Sequence, residues 1–343
     1  MDNRVRIALD AMGGDNAPSE IVKGAVLAAG SRKDVRIFLV GKEELIREEL
    51  KKHTYPEEQI EIVPASEVIE MAEHPVSAIR KKKDSSMVVG MKMVHEGSAD
   101  AFVTAGNSGA VLVGGQVIVG RLKGVERPPF ATVLPTEKGV SLLLDCGANV
   151  DARPSHLVQF ARMGSIYMEK VIGVHDPTVG IVNIGAEEEK GNALVKETFP
   201  LLRECSDIRF TGSCEARDIT AGQCDVIVAE GFAGNIILKM YEGSAKTLLK
   251  AVKAGLMSSL RSKIGAVLIK PALKSVLKKF DADQYGGAPM LGLRGLVVKA
   301  HGNAKADVIR ICIDQCVKFN EQKIGEMILE KFSAEETESR NQS

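Results

Sequence analysis

Short apolar runs that end in small polar turns and then restart at helical spacing recur along this chain. The first is Val5-Arg6-Ile7-Ala8-Leu9, followed by Asp10-Ala11-Met12-Gly13-Gly14-Asp15-Asn16-Ala17-Pro18. Pro18 opens the amphipathic segment Ile21-Val22-Lys23-Gly24-Ala25-Val26-Leu27, so the stretch predicts a strand, a tight turn and a helix N-terminus. The pattern returns five times. Ala101 to Ala105 runs into Gly106-Asn107-Ser108-Gly109, and Val140 to Leu144 into Asp145-Cys146-Gly147-Ala148-Asn149, with a helical pattern from Pro154. Val179 to Ile184 runs into Gly185 to Asn192, Val226 to Val228 into Glu230-Gly231-Phe232-Ala233-Gly234-Asn235, and Leu296 to Val298 into His301-Gly302-Asn303.

Strands alternating with helices predict a parallel sheet, whose strand carboxyl ends share one edge, and ligands of open α/β sheets bind at that edge. Any one of these turns is equally an ordinary connection. Six of them, rich in Gly and Asn, predict a polar rim suited to an anion, because glycine lets backbone approach closely and first-turn N–H groups carry partial positive charge.

Composition adds limits. At 343 residues, with no Ser/Pro linker and no repeat beyond this pattern, the chain reads as one large α/β domain over 1–332, a helical embellishment at about 246–282, and a flexible polar tail at 333–343. The 45 basic and 45 acidic residues cancel, which argues against a nucleic-acid partner. No signal-peptide pattern precedes the first strand, so a cytoplasmic location is expected. Residues 101–120 lack charge but hold five glycines, and Asn107-Ser108 breaks any helix, so strand, turn and helix is the reading rather than a membrane span. The six cysteines form no CxxC pair and are expected reduced and mostly buried; Cys312 and Cys316 share a helix face, better suited to core packing than to metal.

Two segments break the charge balance. From Lys246 to Lys279 there are nine basic residues and no acidic one, with apolar residues at helical spacing. Gly265 and Pro271 predict a break into two arms. A basic amphipathic hairpin can lie in a bilayer interface, here through Leu256, Leu260, Ile264 and Leu268; the same stripe also fits packing on the core or on a second subunit. Arg80-Lys81-Lys82-Lys83 fits either a docking patch for an anionic partner or a solvated helix face.

Common catalytic signatures are missing: there is no GxGxxG, no GxxxxGK[ST], no GxSxG, no HExxH, and no His cluster at ligand spacing. The predicted rim instead offers Asn16, Asn107, Asn149, Asn192 and Asn235 as neutral donors, with Asp15, Lys190, Arg217 and His301 on or near the same turns. Such a set suits holding an anion and polarising a carbonyl. Asn107, Lys190, Asn235 and His301 are therefore the catalytic candidates, and Gly13, Gly14, Asp15, Asn16, Gly106, Ser108, Gly109 and Arg217 the anion-binding ones.

An ordered series of motifs now carries a resemblance. DAMGGDNAP at 10–18, TAGNSGA at 104–110, GRLKGVERPP at 120–129, LLDCGANVDARPSHLVQFARMGS at 143–165, NIGAEEEKGN at 183–192, EGFAGNIILK at 230–239, YGGAPMLG at 285–292 and KAHGNA at 299–304 resemble the bacterial acyl-ACP:phosphate acyltransferases, the PlsX family. The chain departs from the family pattern at Ser213, Glu230 and Asn303. The resemblance implies a Rossmann-like α/β/α sandwich of the isocitrate and isopropylmalate dehydrogenase type, related also to phosphate acetyltransferase, and usually a homodimer. It implies transfer of a long fatty-acyl group from acyl carrier protein to inorganic phosphate, without metal or nucleotide cofactor, for a downstream glycerol-3-phosphate acyltransferase in phospholipid synthesis. It further implies peripheral membrane association, an acyl-carrier docking role for Arg80, Lys81, Lys82 and Lys83, and substrate contacts from Gly286 and Gly287. Rival readings are a phosphate acetyltransferase-like enzyme using acyl-CoA and a non-catalytic carrier-binding scaffold at the membrane surface. A decarboxylating dehydrogenase is disfavoured because the rim lacks the clustered aspartates its metal needs.

Overall fold

The computed structural model describes residues 4–280 and 282–341. The chain divides into two compact units: Met1–Thr132, Arg162–His175 and Asp283–Ser343 form the first, and Val133–Ala161 with Asp176–Ala282 the second. Each unit is built around its own sheet. The expected single strand edge is therefore two edges, and the six glycine- and asparagine-rich turns fall three to each.

In the first unit the strands are β1 (Val5–Asp10), β2 (Val35–Gly41), β3 (Ile60–Pro64), β4 (Ala101–Thr104), β10 (Ala288–Met290) and β11 (Leu296–Lys299), in the spatial order β10-β11-β4-β1-β2-β3. All neighbours are parallel except β10, which runs against β11. The helices are α1 (Ser19–Ser31), α2 (Glu43–Leu50), α3 (Pro75–Lys81), α4 (Ser86–His95), α5 (Ser108–Gly114), α10 (Ala306–Glu321) and α11 (Ile324–Asn341). Side chains alternate across a strand. Val5, Ile7 and Leu9 accordingly share a core with Ile21, Val22 and Ala25 of α1 and Ile309, Cys312 and Ile313 of α10. Ala8 and its register partner Phe102 face the other way, where the Phe102 ring reaches 2.4 Å from the Cβ position of Gly90 in α4. With both faces covered, β2 is a continuous apolar run from Ile37 to Val40 rather than an alternating one.

The second unit holds β5 (Ala131–Thr136), β6 (Gly139–Leu144), β7 (Thr178–Asn183), β8 (Arg209–Glu215) and β9 (Val226–Val228) in the order β5-β6-β9-β7-β8. The pairs β6–β9, β9–β7 and β7–β8 are parallel. Helix α6 (Pro154–Tyr167) starts in this unit at the proline the sequence predicts, its residues from Arg162 on belonging to the first unit, and α7 (Ala193–Glu204) precedes β8. Leu143, Cys214, Cys224 and Ile227 form the core with Ile237, Leu238 and Tyr241 of α8 (Gly231–Leu256). Gly180 leaves room there for two cysteine side chains: Cys224 Sγ is 2.4 Å and Cys214 Cβ 3.1 Å from its Cβ position. The two thiols act on each other, and together with burial this pushes Cys214 well above the ordinary thiol range.

One sequence expectation is corrected. The basic hairpin is α8 followed by α9 (Leu260–Lys279), and its turn is Met257–Ser259 rather than Gly265 or Pro271, both of which lie inside α9. The local reason is capping: Ser259 Oγ accepts from the Ser262 N–H at 3.1 Å, while the Ser258 N–H closes on Gly255 O. At the other end, α11 spans Ile324–Asn341, and Gln342 and Ser343 lie outside the described residues. Among the described residues no helix is long and apolar enough to cross a membrane.

The tightest backbone approach in the second unit gives a stability test. A Cβ on Gly234 would sit 1.8 Å from Asp145 O, whereas one on Gly243 of the same helix meets nothing within 4 Å. Gly234→Ala is expected to destabilise by about 3 kcal/mol or more, and Gly243→Ala to stabilise by roughly 0.5 kcal/mol. Urea unfolding of the two variants checks the contrast; equal midpoints would remove the close approach.

Candidate functional site

Because β11, β4 and β1 are adjacent and parallel, the turns that follow them meet at one edge of the first unit. They are stitched together through backbone. Asp15 N–H donates to Gly302 O at 2.8 Å, and Asn16 Nδ2 to Asn303 O at 2.9 Å and Ala304 O at 3.3 Å. Gly14 has φ +97°, and a Cβ there would lie 2.8 Å from both Ala105 Cβ and Gly302 O. Gly13 is equally constrained, with Asp10 Oδ2 2.4 Å and Thr104 Oγ1 2.8 Å from its Cβ position. Beneath them Thr104 Oγ1 donates to Asp10 Oδ2 at 2.7 Å and accepts from the Gly106 N–H at 2.9 Å, while Met12 N–H donates to Asp10 Oδ1. Burial of this carboxyl raises its pKa, against opposing hydrogen bonds from Ser86, Thr104, Met12 and Gly13.

Asn107 is buried, and its side chain is fully engaged. Nδ2 donates to the carbonyls of Glu70, Met71 and Glu73 at 3.2, 3.0 and 3.0 Å, and Oδ1 accepts from the Ala110 N–H at 3.0 Å, capping α5. Its amide therefore faces backbone and not the open rim. Gly109 is the gap that Pro75 of α3 fills, with Cγ 2.4 Å from its Cβ position. Asp15, Ser108 and His301 are exposed at the rim, and His301 Nδ1 lies 2.7 Å from Asn303 Oδ1. Gly286 and Gly287 lead into β10 on the same edge, beside Lys299 O, 2.7 Å from the Gly287 Cβ position.

At the carboxyl edge of the second unit, Asp145 accepts from the N–H groups of Asn149 and Ala148 and from Asn149 Nδ2, and Gly231 N–H donates to Asn149 O. Asn183, at the end of β7, donates to Ser213 Oγ at 3.0 Å. Lys190 is half exposed and paired with Glu187 at 2.6 Å, which raises its pKa. Arg217, 77% exposed, pairs with Glu215 at 3.1 Å and Asp218 at 3.8 Å. Asn235 is exposed in the opening turns of α8, its Cβ 3.5 Å from the Cβ position of Gly147.

The N-termini of α5, α7, α8 and α10 are served from within, whereas α1, which follows the Gly13–Asn16 turn, has no side-chain cap. Asn107 caps α5, Asn192 caps α7 through the Val195 N–H at 2.9 Å, and Glu230 caps α8 through the Phe232 and Ala233 N–H groups. The Ala306 N–H at the start of α10 donates to Glu20 Oε2 of α1 at 2.8 Å. What remains for a ligand in the first unit is turn backbone at Gly14 and at Ser108-Gly109, the uncapped start of α1, and the exposed Asp15, Ser108 and His301, with Lys299 close by. Lys299 Nζ donates to Ala105 O at 3.3 Å and to Ala300 O.

Sequence reasoning missed Lys299, Thr104 and Gln315. Lys299 stood in the quoted KAHGNA motif, but at the end of a strand rather than on a turn. Gln315 receives the Gly287 N–H on Oε1 at 3.3 Å and donates from Nε2 to Gly287 O and to Tyr167 Oη at 2.7 Å, fixing the Gly286-Gly287 turn from 28 residues away. Nothing local in the sequence signals that pairing. Of the expected docking patch, Arg80, Lys81 and Lys83 are exposed, whereas Lys82 is half-buried and bonded to Glu73 Oε1 and to Val68 O. Among the described residues no group of three or more His, Cys, Asp or Glu side chains is placed to hold a metal ion.

Comparison with known proteins places this geometry among relatives. The family described as fatty acid synthesis protein matches residues 5–327. A phosphate acyltransferase of Clostridium beijerinckii is 48% identical over 332 residues, 96% of this chain and 100% of that protein. One from Alkaliphilus oremlandii is 49% identical over 330 residues, 96% and 98% of the two chains. Among solved structures, a phosphotransacetylase from Streptococcus pyogenes superposes with TM-score 0.59 at 17% identity, covering 92% of this chain and 93% of that one. The EutD phosphotransacetylase from Staphylococcus aureus gives 0.58 at 17% identity, covering 92% and 94%. At such identities the likeness is one of fold.

The buried Asp10 carboxyl makes a pH test. Its folded pKa is raised, so the folded state binds more protons than the unfolded state above the ordinary carboxyl value of about 3.9. The contribution of Asp10 to stability is thus full below that value and declines as pH rises through the folded pKa. In Asp10→Asn this decline is absent, so the variant gains on the parent as pH rises from about 4. Urea melts at stepped pH read the difference; a gap that stays constant with pH would show that Asp10 is not held protonated.

Proposed function

The chain belongs to the fatty acid synthesis protein family, and on that premise we propose that it moves a long-chain fatty-acyl group from the thioester of acyl carrier protein to inorganic phosphate, forming acyl phosphate. The observation that carries the reading is the 48% identity, over the whole length of the relative, to a protein named phosphate acyltransferase. The chemistry at the rim of the first unit fits it. Phosphate is partly dianionic near neutral pH and a thioester is already activated, so the protein's task is mainly positioning and charge stabilisation. A phosphate oxygen attacks the thioester carbon, the tetrahedral oxyanion collapses, and the carrier leaves as thiolate. The backbone of the Gly13–Asn16 and Gly106–Gly109 turns, with Lys299 and His301, is the proposed phosphate-holding set, and Gly286-Gly287 borders it. Asn107 then acts by placing these turns rather than by touching substrate. In the second unit, Lys190, Arg217 and Asn235 are proposed anion-binding groups.

Acyl carrier protein is strongly acidic by family resemblance, and Arg80, Lys81 and Lys83 are the exposed cations proposed to meet it. A homodimer, a cytoplasmic location and peripheral membrane contact complete the proposal, with the acyl phosphate passing to a glycerol-3-phosphate acyltransferase. The hairpin supports the membrane part. Leu260 and Leu268 are each 76% exposed and Ile264 58%, among lysines with no acidic residue, while Leu256 is half-buried.

Incubation with palmitoyl-ACP and phosphate is expected to release carrier thiol together with acyl phosphate, and arsenate in place of phosphate to give hydrolysis. Palmitoyl-CoA serves as the competing donor, and faster turnover with it would favour the acetyltransferase-like reading. In the same assay Arg80→Glu with Lys81→Glu is expected to raise the KM for palmitoyl-ACP about tenfold at low salt, less at high salt, and to leave the phosphate requirement alone. Unchanged carrier saturation would reduce the patch to a solvated helix end.

For the hairpin, each buried apolar side chain is expected to contribute about 1–2 kcal/mol at an interface and each nearby lysine about 1 kcal/mol on anionic lipid. Leu260→Glu with Ile264→Glu should abolish co-sedimentation with anionic vesicles while the protein still makes acyl phosphate. Conversion of a dimer to a monomer by the same pair would assign the stripe to a second copy of the chain instead.

A further inference from the structure

Residues 65–74 join β3 to α3 without forming helix or strand, yet they are anchored from three directions. Asn107 Nδ2 donates to the carbonyls of Glu70, Met71 and Glu73. The Glu73 carboxylate accepts from the Glu70 N–H at 2.8 Å and from Lys82 Nζ, and Lys82 Nζ also donates to Val68 O at 2.6 Å. Behind them Glu67 N–H donates to Asp84 O, and Ser66 N–H to the Asp84 carboxylate. A segment on the surface of a protein ordinarily needs no such anchoring.

The anchoring fixes the place of one apolar side chain. Met71 is 47% exposed, and its methyl carbon lies 3.3 Å from the position a Cβ would take on Gly302, the residue whose carbonyl joins the His301–Asn303 turn to Asp15. Asp15 Oδ2 lies 3.7 Å from the same position. A thioether is thus set against an otherwise polar rim of Asp15, Ser108, His301 and Asn303, where a polar side chain would more simply face water.

We propose that segment 69–73 is a water-excluding wall of the phosphate site, with Met71 as its apolar face and Asn107, Glu73 and Lys82 as the positioning residues that hold it. This rests on the transfer of acyl groups to phosphate at the rim of the first unit. The chemical need is specific. Water competes with phosphate for the same thioester carbon: attack by phosphate yields acyl phosphate and thiol, whereas attack by water yields free fatty acid and thiol, the water proton passing to the leaving thiolate. A wall of low polarity beside the bound phosphate lowers the second rate relative to the first. Lys82 also adjoins Lys81 and Lys83 in sequence, so the wall is tied to the same helix end that carries the proposed carrier-docking cations.

The test is the partition of acyl donor between acyl phosphate and free fatty acid at limiting phosphate, measured with palmitoyl-ACP. Met71→Ser is expected to raise the fatty-acid fraction at least fivefold and Met71→Leu to restore it. Asn107→Ser, which keeps a hydroxyl to cap α5 but loses the amide's hydrogen bonds to the carbonyls of Glu70, Met71 and Glu73, is expected to behave as Met71→Ser and to raise the phosphate KM. An unaltered partition in both serine variants overturns the proposal. Amide hydrogen exchange gives a readout apart from turnover: millimolar inorganic phosphate should slow exchange at 69–73 in the parent protein and not in Asn107→Ser. Absence of that slowing in the parent also overturns the wall. Slowing by phosphate in a protein that makes no acyl phosphate from either donor leaves the wall standing and removes the transfer reading.

Discussion

The parallel pairing of β1, β4 and β11 is the constraint on which the first unit depends. Parallel neighbours in register bring their carboxyl ends to one edge, and each of these three strands ends in a turn too small to form a side-chain core of its own. The turns satisfy their backbone groups through one another, as when Asp15 donates to Gly302 and Asn16 to Asn303. Asp10 and Thr104, directly beneath, hold the first two turns by hydrogen bonds, and the burial that places the carboxyl there raises its pKa against those bonds. A shift of one residue in either pairing would send Ile7 and Leu9 to the opposite face and separate the turns together.

Most strands were legible because the apolar runs that predict them are buried on both faces and therefore continuous. Helix starts were legible where Pro or Asn marks them, as at Pro154 and Asn107. The division into two sheets was not, since a run such as Val140 to Leu144 carries no sign of which neighbours it will pair with. The hairpin turn was misplaced because glycine and proline weigh heavily in a linear reading, whereas the serine pair at 258–259 offers caps that a helix end uses directly.

At the candidate site, residue identities were legible and their duties were not. Asn107 was singled out as a donor to substrate, yet its four hydrogen bonds all go to backbone. The sequence shows that an amide stands on a turn; only the fold shows that residues 70–73 lie opposite it. Lys82 is the same lesson within the basic run: four consecutive cations look equivalent until one of them is found bonded to Glu73. Lys299 was hidden for the reverse reason, since a cation at the last position of a buried strand reads as an interruption rather than as a rim group.

The internal capping of α5, α7, α8 and α10 bears on how the protein behaves between turnovers. Asn107, Asn192, Glu230 and Glu20 travel with the chain, so these four helix starts keep an acceptor whether or not an anion is present. A protein that relied on phosphate to finish its helices would soften each time product departed and would have its abundance tied to the phosphate supply. Here the four caps are supplied by the chain itself, so an anion that binds adds its stabilisation by mass action to a fold that already holds those helix ends.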